Sequence, residues 1–128
     1  MAITRYLVAA DAEYVRDLVR AAFVGPDDEV IEVARGQDVR DAVRDHEPDL
    51  VILDLQIGNM GGVAVGIDLR LEESAGRLPH VPVLLLLDRE ADRFLAQRAA
   101  VEGVAVKPVD AGQLRRVARA ALDAAVHS

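Results

Sequence analysis

The chain has 128 residues, of which 52% are hydrophobic and 29% are charged, so the sequence predicts one domain with a substantial core. It contains no cysteine, which excludes disulfides, thiolate metal sites and cysteine nucleophiles. The formal net charge of −7 argues against binding to bulk nucleic acid or to an anionic membrane. No run of residues is long and apolar enough to span a membrane, and the N-terminus lacks the pattern of a secretion signal, so we expect a cytoplasmic protein.

Short apolar runs alternate with amphipathic segments along the chain. The apolar runs predict five strands, at residues 3–10, 29–34, 50–54, 81–87 and 103–106. Between and after them, apolar residues recur at every third or fourth position, which predicts five helices. The helices are expected at residues 12–24, between Gly36 and Pro48, between Gly62 and Gly76, from Arg89 onward and from residue 110 to about 125. In the third helix, Val63, Ile67 and Leu71 are expected to form one apolar side.

The alternation of strand and helix predicts the fold class. Several strands are continuous apolar runs, which is typical of a parallel sheet covered by helices on both faces. With right-handed crossovers, the expected architecture is a doubly wound, three-layer α/β/α sandwich. We find no internal repeat and no interdomain linker, so we expect a single domain over residues 1–128 with no output domain.

Three charged residues follow predicted strands. Asp11 follows the first, Asp54 ends the third and Lys107 follows the fifth. Ligands of open parallel sheets bind outside the carboxyl ends of the strands, so these side chains are expected to meet there. Two carboxylates beside a lysine favour a hard cation such as Mg²⁺. A carboxylate in that setting can accept a phosphoryl group, because the cation and the ammonium stabilise the charge that develops.

Each of these residues also has an ordinary structural interpretation. Asp11 can cap the first helix, and an acid before a helix is more often a cap than a ligand. Lys107 by itself would be a surface lysine. Asp54 is harder to explain in this way, because no helix begins immediately after it.

The sequence resembles the receiver domain of two-component response regulators over essentially its whole length. The most specific matches are Pro-Asp-Leu-Val-Ile-Leu-Asp at 48–54, then Met60 and Gly62, and Val-Lys-Pro at 106–108. The resemblance implies a flavodoxin-like sheet of strand order 2-1-3-4-5 and a cis Lys107–Pro108 bond. It also implies the roles of the site residues: Asp54 as phosphoacceptor, Lys107 as phosphoryl contact, and Asp11, Asp54 and the backbone carbonyl of Gln56 as Mg²⁺ ligands.

Several positions depart from the family pattern. One member of the acidic pair is replaced by Ala10, which is expected to weaken Mg²⁺ binding. The switch hydroxyl at the end of the fourth strand is replaced by Leu87, and the switch aromatic of the fifth strand by Val104. The family's relay from hydroxyl to aromatic therefore lacks both of its parts.

Two further departures surround the acceptor. The proline usual four positions after it is Gly58, which predicts a looser loop. The small residue that usually follows the switch hydroxyl is Asp88. We expect Asp88 to cap a helix that starts at Arg89; if it points inward instead, it would repel a phosphodonor or mimic phosphoryl charge.

Two functional hypotheses follow. The first is a stand-alone atypical receiver that a histidine kinase, a phosphotransfer protein or a small donor phosphorylates at Asp54. Its target would bind the face of the fourth helix, fifth strand and fifth helix, with a homodimer as an alternative assembly. Positive charge on that face would come from four arginines: Arg93, Arg98, Arg115 and Arg119. The second is a phosphorylation-independent interaction module, in which Asp54 and Lys107 form a structural ion pair.

A metabolic enzyme on the same fold is not favoured. The first strand-to-helix turn, Ala-Asp-Ala-Glu, lacks the glycines or hydroxyls of a phosphate-binding loop. The acceptor segment Asp54-Leu-Gln also lacks the second aspartate that haloacid-dehalogenase-like phosphatases use.

Overall fold

A computed structural model of the protein describes residues 2–57 and 60–127. In that part of the chain five strands alternate with five α-helices, as the sequence predicted. The strands are β1 (Thr4–Ala9), β2 (Asp28–Val33), β3 (Leu50–Asp54), β4 (Val83–Leu87) and β5 (Gly103–Val106). The helices are α1 (Glu13–Ala22), α2 (Val39–His46), α3 (Gly62–Ser74), α4 (Arg93–Arg98) and α5 (Ala111–His127). No helix of the described residues is long and apolar enough to cross a membrane.

The strands form one parallel sheet in the order β2-β1-β3-β4-β5, which confirms the predicted flavodoxin-like topology. One face packs against α2, α3 and α4, and the other against α1 and α5. Every residue of β3 and β4 is buried, as expected for central strands covered on both faces. β2 is an edge strand, and its acidic residues Glu29 and Glu32 are exposed.

The predicted apolar side of α3 is wrong at Ile67 and Leu71, whereas Val63 does pack against the core. The buried residues of α3 include Val65 and Leu69, whereas Ile67 is 37% and Leu71 62% exposed. Gly66 lies on the buried face, where an added Cβ would come within 2.8 Å of the Cβ of Ala99. The missing side chain therefore lets the end of α4 approach α3 closely, and this contact determines which side of α3 faces inward.

Two helices begin with a 3₁₀ turn that the sequence pattern did not separate from the helix. One such turn, Gly36–Asp38, precedes α2, and another, Glu90–Asp92, precedes α4. The second begins one residue later than the predicted helix start at Arg89. This shift matters at the candidate site, because it places Arg89 and not Asp88 at the N-cap position.

Candidate functional site

The carboxyl ends of β3, β4 and β5 place three charged residues side by side. Asp54 is the last residue of β3, Asp88 follows β4 and Lys107 follows β5. The backbone N–H of Leu55 donates to the carbonyl of Leu86 at 3.0 Å, and that of Lys107 donates to the carbonyl of Leu87 at 2.8 Å. These bonds continue the pairing of the sheet past the strand ends and fix the positions from which the side chains project.

The Lys107 ammonium joins the two carboxylates. Its Nζ donates to Oδ1 of Asp54 at 2.5 Å and to Oδ1 of Asp88 at 2.9 Å. Asp54 is only 1% exposed, so Lys107 supplies the counter-charge that a buried carboxylate needs. Among the described residues, no donor reaches the second carboxylate oxygen of Asp54, Oδ2. That oxygen therefore remains available for a cation or for bond formation.

Asp88 does not cap a helix, so that prediction is wrong. The 3₁₀ turn that follows begins at Glu90, with Arg89 at its N-cap position. The Asp88 carboxylate instead points into the site, where Oδ2 accepts a hydrogen bond from Nε2 of Gln56 at 3.3 Å. The sequence pattern gave no signal for this role of the Gln56 side chain, because a glutamine in a loop has no preferred partner.

The surroundings shift two pKa values in a consistent way. The hydrogen bond from Lys107 lowers the pKa of Asp88 by more than burial raises it, so this side chain is an anion at neutral pH. Burial lowers the pKa of Lys107, but its bonds to Asp54 and Asp88 together raise the pKa by a larger amount. The net shift of the Lys107 pKa is therefore upward. With both carboxylates ionised, one ammonium leaves the cluster with one excess negative charge.

Asp11 lies near the carboxyl end of β1 but is not bonded to this cluster. Its alternative role as a helix cap is also not observed, since α1 has Ala12 at the N-cap position with no side-chain cap bond. The Asp11 side chain is exposed and has no bonded partner within residues 2–57 and 60–127. The Arg16 guanidinium fixes the loop by donating to the carbonyls of Ala10 at 2.7 Å and Asp11 at 2.9 Å. Sequence reasoning did not identify this role of Arg16.

The degenerate positions are apolar and packed. Ala10 and Leu87 are fully buried, and Val104 is half-buried against the core on the α2, α3 and α4 side. None of these side chains has a hydroxyl or ring that could respond to charge at the site. Gly58, for which a looser loop was predicted, lies outside the described residues.

Gly62 lies tightly against the end of β3. The N–H of Gly62 donates to the carbonyl of Leu55 at 3.1 Å. A Cβ on Gly62 would lie 2.3 Å from the carbonyl oxygen of Asp54, so a larger residue cannot occupy this position without moving the end of β3. The Lys107–Pro108 peptide bond is cis, as the resemblance implied.

The magnesium ligands predicted from the sequence are the carboxylates of Asp54 and Asp11 and the carbonyl of Gln56. Asp54 has an oxygen without a described donor beside an excess negative charge, which favours a cation, while the parts of Asp11 and Gln56 stay predictions. Within the described part of the chain, no three His, Cys, Asp or Glu side chains are close enough together to enclose a metal. Mg²⁺ does not need such an enclosure, because it commonly binds one or two carboxylates and keeps several waters.

Comparison with known proteins agrees with this geometry. A family model described as the response regulator receiver domain matches residues 6–119. The chain is 32% identical over 122 residues to the KDP operon transcriptional regulatory protein KdpE of Escherichia coli, covering 94% of this chain and 52% of that protein. It therefore spans about half the length of that relative. It is also 28% identical over 96 residues to the polar-differentiation response regulator DivK of Brucella ovis, covering 73% of this chain and 72% of DivK.

Solved structures show the same fold. The chemotaxis response regulator CheY4 of Vibrio cholerae superposes with a TM-score of 0.79 at 19% identity, over 93% of this chain and 99% of that one. At this identity the likeness is one of fold. The family match, which extends over most of the sequence, shows that the chain belongs to the response regulator receiver domains of two-component signalling.

Proposed function

We propose that this receiver accepts a phosphoryl group at Asp54 and signals through contacts with a partner protein. Receiver domains are signalling modules, generally not enzymes, that interact with histidine kinases or phosphotransfer proteins. The observation that carries the proposal is a buried Asp54 carboxylate that has Lys107 bonded to one oxygen and no described donor on the other. A merely structural ion pair gains most when its remaining lone pairs are also satisfied.

In the proposed reaction, an Asp54 carboxylate oxygen attacks the phosphorus of a phosphohistidine or of a small donor such as acetyl phosphate. The new oxygen–phosphorus bond makes an acyl phosphate, while the bond from phosphorus to the donor breaks and its electron pair leaves with the donor. Lys107 stabilises negative charge on the phosphoryl oxygens.

Receiver domains generally bind Mg²⁺ for phosphorylation, and here Asp11, Asp54 and the Gln56 carbonyl would hold it. When bound, the ion neutralises charge on the phosphoryl oxygens. Because Ala10 supplies no carboxylate, we expect this chain to bind Mg²⁺ more weakly than a receiver with the complete acidic pair.

A groove beside the site suits a phosphodonor protein. It has a volume of about 440 Å³ and is lined mainly by apolar residues of α1 and of the segment after β5, among them Tyr14, Leu18 and Pro108. Lys107 forms part of its wall. A donor helix seated there would bring its phosphohistidine toward Lys107, which supports a protein as the physiological donor.

The route of the output signal must differ from the family's relay. Leu87 and Val104 cannot perform the hydroxyl-to-aromatic exchange, so the bonds of Asp88 to Lys107 and Gln56 are the available link between the loops after β3 and β4. The α4–β5–α5 face stays the predicted partner surface. Its predicted positive charge is smaller than expected, since Arg93 pairs with Glu90 and Arg115 faces the end of α1, bonding to the Ala22 carbonyl.

A second candidate is a phosphorylation-independent interaction module. Asp88 already supplies an anion to Lys107, and Leu87 cannot bond to a phosphoryl oxygen. In this alternative the cluster is a structural ion network beneath the loops.

One titration separates the two candidates. Beryllofluoride with Mg²⁺ mimics the phosphoryl group, and amide NMR shifts report where the protein responds. We expect shifts around Asp54 and Leu87 that are absent from an Asp54→Asn variant. The absence of any response at millimolar reagent would contradict phosphoacceptance and favour the interaction module. Three further points stay predictions: that the receiver signals without an output domain, that it forms a homodimer, and that it is cytoplasmic.

A further inference from the structure

The residue after β4 has a role in the site that the family's chemistry does not include. The Lys107 ammonium, which is expected to contact the phosphoryl group, also binds Asp88. Its Nζ donates to Asp88 Oδ1 at 2.9 Å. The second Asp88 oxygen is held by Nε2 of Gln56. These two bonds, one to each oxygen, hold the carboxylate in place on the ammonium that also binds Asp54.

The local sequence explains why Asp88 takes this position. The Leu87 side chain has no polar group and is fully buried in the core, so the first side chain after β4 that can bond to the site is that of Asp88. Asp88 is half-buried and comes immediately before the segment that leads into α4. Within residues 2–57 and 60–127, the side-chain bonds between the β4–α4 connection and the site are those of Asp88.

We propose that Asp88 is a positioning residue that competes with the phosphoryl group for Lys107, and so restrains phosphorylation of Asp54. Phosphorylation turns the Asp54 carboxylate into an acyl phosphate, so its single negative charge is replaced by about 1.5 to 2 negative charges on three acceptor oxygens. The phosphoryl group and the Asp88 carboxylate would then share one ammonium. Either Asp88 gives up its bond to Lys107, or two like charges share the same cation. Both alternatives disfavour the phosphorylated state.

The competition also gives the chain a way to signal without the missing relay. Before phosphorylation, Asp88 holds the β4–α4 connection against the site through Lys107. When the phosphoryl group takes Lys107, this connection loses one of its two side-chain bonds to the described residues of the site and keeps the bond from Gln56. The conformational response is thus release of the β4–α4 connection by an added charge.

The inference rests on the proposed phosphoacceptance by Asp54, and four forms of the full chain test it. Asp88→Asn removes the charge and keeps the shape, and Asp88→Glu keeps the charge. Glu90→Gln is the matched control, because it removes one carboxylate from the same connection, where Glu90 pairs with the exposed Arg93 and not with Lys107. The fourth form is the wild type. Thermal unfolding of each form shows whether the fold is retained.

The readouts are the rate of phosphorylation by acetyl phosphate, followed by mass spectrometry, and the beryllofluoride affinity, followed by ¹⁹F NMR. We expect Asp88→Asn to be phosphorylated roughly tenfold faster and to bind beryllofluoride roughly tenfold more tightly. Asp88→Glu is expected to remain slow, and Glu90→Gln to stay within about twofold of the wild type because its charge is exposed and screened.

The outcomes are distinguishable. If the wild type is phosphorylated and Asp88→Asn is no faster, the competition is refuted while the proposed function stands. If Asp88→Asn is slower and needs more Mg²⁺, Asp88 assists the cation, which also overturns the inference. If no form is phosphorylated or binds beryllofluoride, the proposed function fails and the competition fails with it.

Discussion

The two ends of the sheet each carry a cluster of charged side chains, and the clusters are built differently. At the amino end, Arg70 of α3 meets Glu102, which precedes β5; we call this pair the Arg70 cluster. Arg70 Nη2 donates to both Glu102 oxygens, at 2.6 and 2.9 Å, and to the Ala100 carbonyl at 3.0 Å. Its Nη1 donates to the Val81 carbonyl at 2.9 Å. The N–H of Val83 donates to Glu102 as well, so both partners of the pair are almost fully bonded.

At the carboxyl end, one ammonium serves two carboxylates. Lys107 gives a single bond each to Asp54 and Asp88, and no described donor reaches Oδ2 of Asp54. The planar fork of an arginine can satisfy a carboxylate and neighbouring carbonyls together, whereas a lysine ammonium is a compact charge that can be shared. The Arg70 cluster is therefore saturated with bonds and stabilises the fold, while the Lys107 cluster has an excess negative charge and a carboxylate oxygen without a described donor, which together favour a cation.

The largest effect on stability is expected when Arg70 is replaced. Arg70→Met keeps much of the side-chain volume but removes both arginine bonds to the half-buried Glu102, which keeps only the 3.3 Å contact with His80 Nε2 among the described ionisable side chains. It also removes the Arg70 bonds to the Val81 and Ala100 carbonyls. We expect the free energy of unfolding to fall by about 3 kcal/mol. Urea unfolding followed by far-UV circular dichroism measures the free energy of unfolding.

Arg93→Met is the control, because its pair with Glu90 is exposed and its loss is expected to cost about 0.5 kcal/mol or less. Equal losses in the two variants would remove the structural role assigned to the Arg70 cluster.

Replacing a carboxylate by its amide at each end of the sheet compares the Arg70 cluster with the Lys107 cluster directly. Glu102→Gln breaks a saturated pair and is expected to cost about 1 to 3 kcal/mol. Asp54→Asn removes one of two like charges and leaves Lys107 paired with Asp88. We therefore expect the stability of Asp54→Asn to stay within about 1 kcal/mol of the wild type in the absence of Mg²⁺.

Adding Mg²⁺ tests the excess charge directly. A ligand at ten times its dissociation constant stabilises a protein by about 1.4 kcal/mol. We expect stabilisation on this scale for the wild type, and little or none for Asp54→Asn. Equal stabilisation of both proteins would mean that the ion binds elsewhere, and a large loss of stability in Asp54→Asn without Mg²⁺ would mean that Asp54 is structural.

The sequence was sufficient for the sheet and for the pairing of Asp54 with Lys107. The sheet follows from the alternation of elements, and the carboxyl ends of β3 and of the edge strand β5 bring Asp54 and Lys107 to the same edge. The same reasoning also placed Asp11 in the cluster, to which it is not bonded. The β3 and β4 apolar runs were long enough, and free enough of polar interruptions, to fix their burial. These predictions depend on local pattern and on chain order, which a single sequence contains.

Other features depend on contacts that no local pattern encodes. From the sequence, Asp88 could cap a helix or bond to Lys107. The 3₁₀ turn starts at Glu90, which puts Arg89 at the N-cap position and leaves Asp88 to bond to Lys107. The inner side of α3 was misassigned because apolar residues lie on both sides of this helix, and Gly66 against Ala99 selects one. Arg70 and Glu102 are 32 residues apart, so their pairing cannot be predicted from local sequence. It depends on how α3 and β4 pack in the folded chain.

The smallest effect on stability is expected when Glu72 is replaced. This third carboxylate tests whether burial or the number of hydrogen bonds explains the different roles of Asp54 and Glu102. Glu72 is buried like Asp54, but both of its oxygens are bonded like those of Glu102, to Arg77 Nε at 2.8 Å and Nη2 at 2.9 Å. The hydrogen bonds from Arg77 lower the pKa of Glu72 below its ordinary value of 4.5. Because the folded pKa is lower than the unfolded one, the stabilisation is present above the unfolded value and is lost as the pH falls through the folded value.

Glu72→Gln should therefore unfold more easily than the wild type at pH 7, and the difference should close as the pH is lowered below about 4. The effect is the smallest because Arg77 is largely exposed and solvent screens its charge. Glu47→Gln is the control, because it replaces an exposed carboxylate with no ion pair among the described residues, and it should unfold like the wild type at pH 7. A Glu72→Gln difference that persists in acid would mean that burial and packing set the role of this side chain. In that case the contrast between Asp54 and Glu102 would also have to be explained by packing rather than by the number of bonds each carboxylate receives.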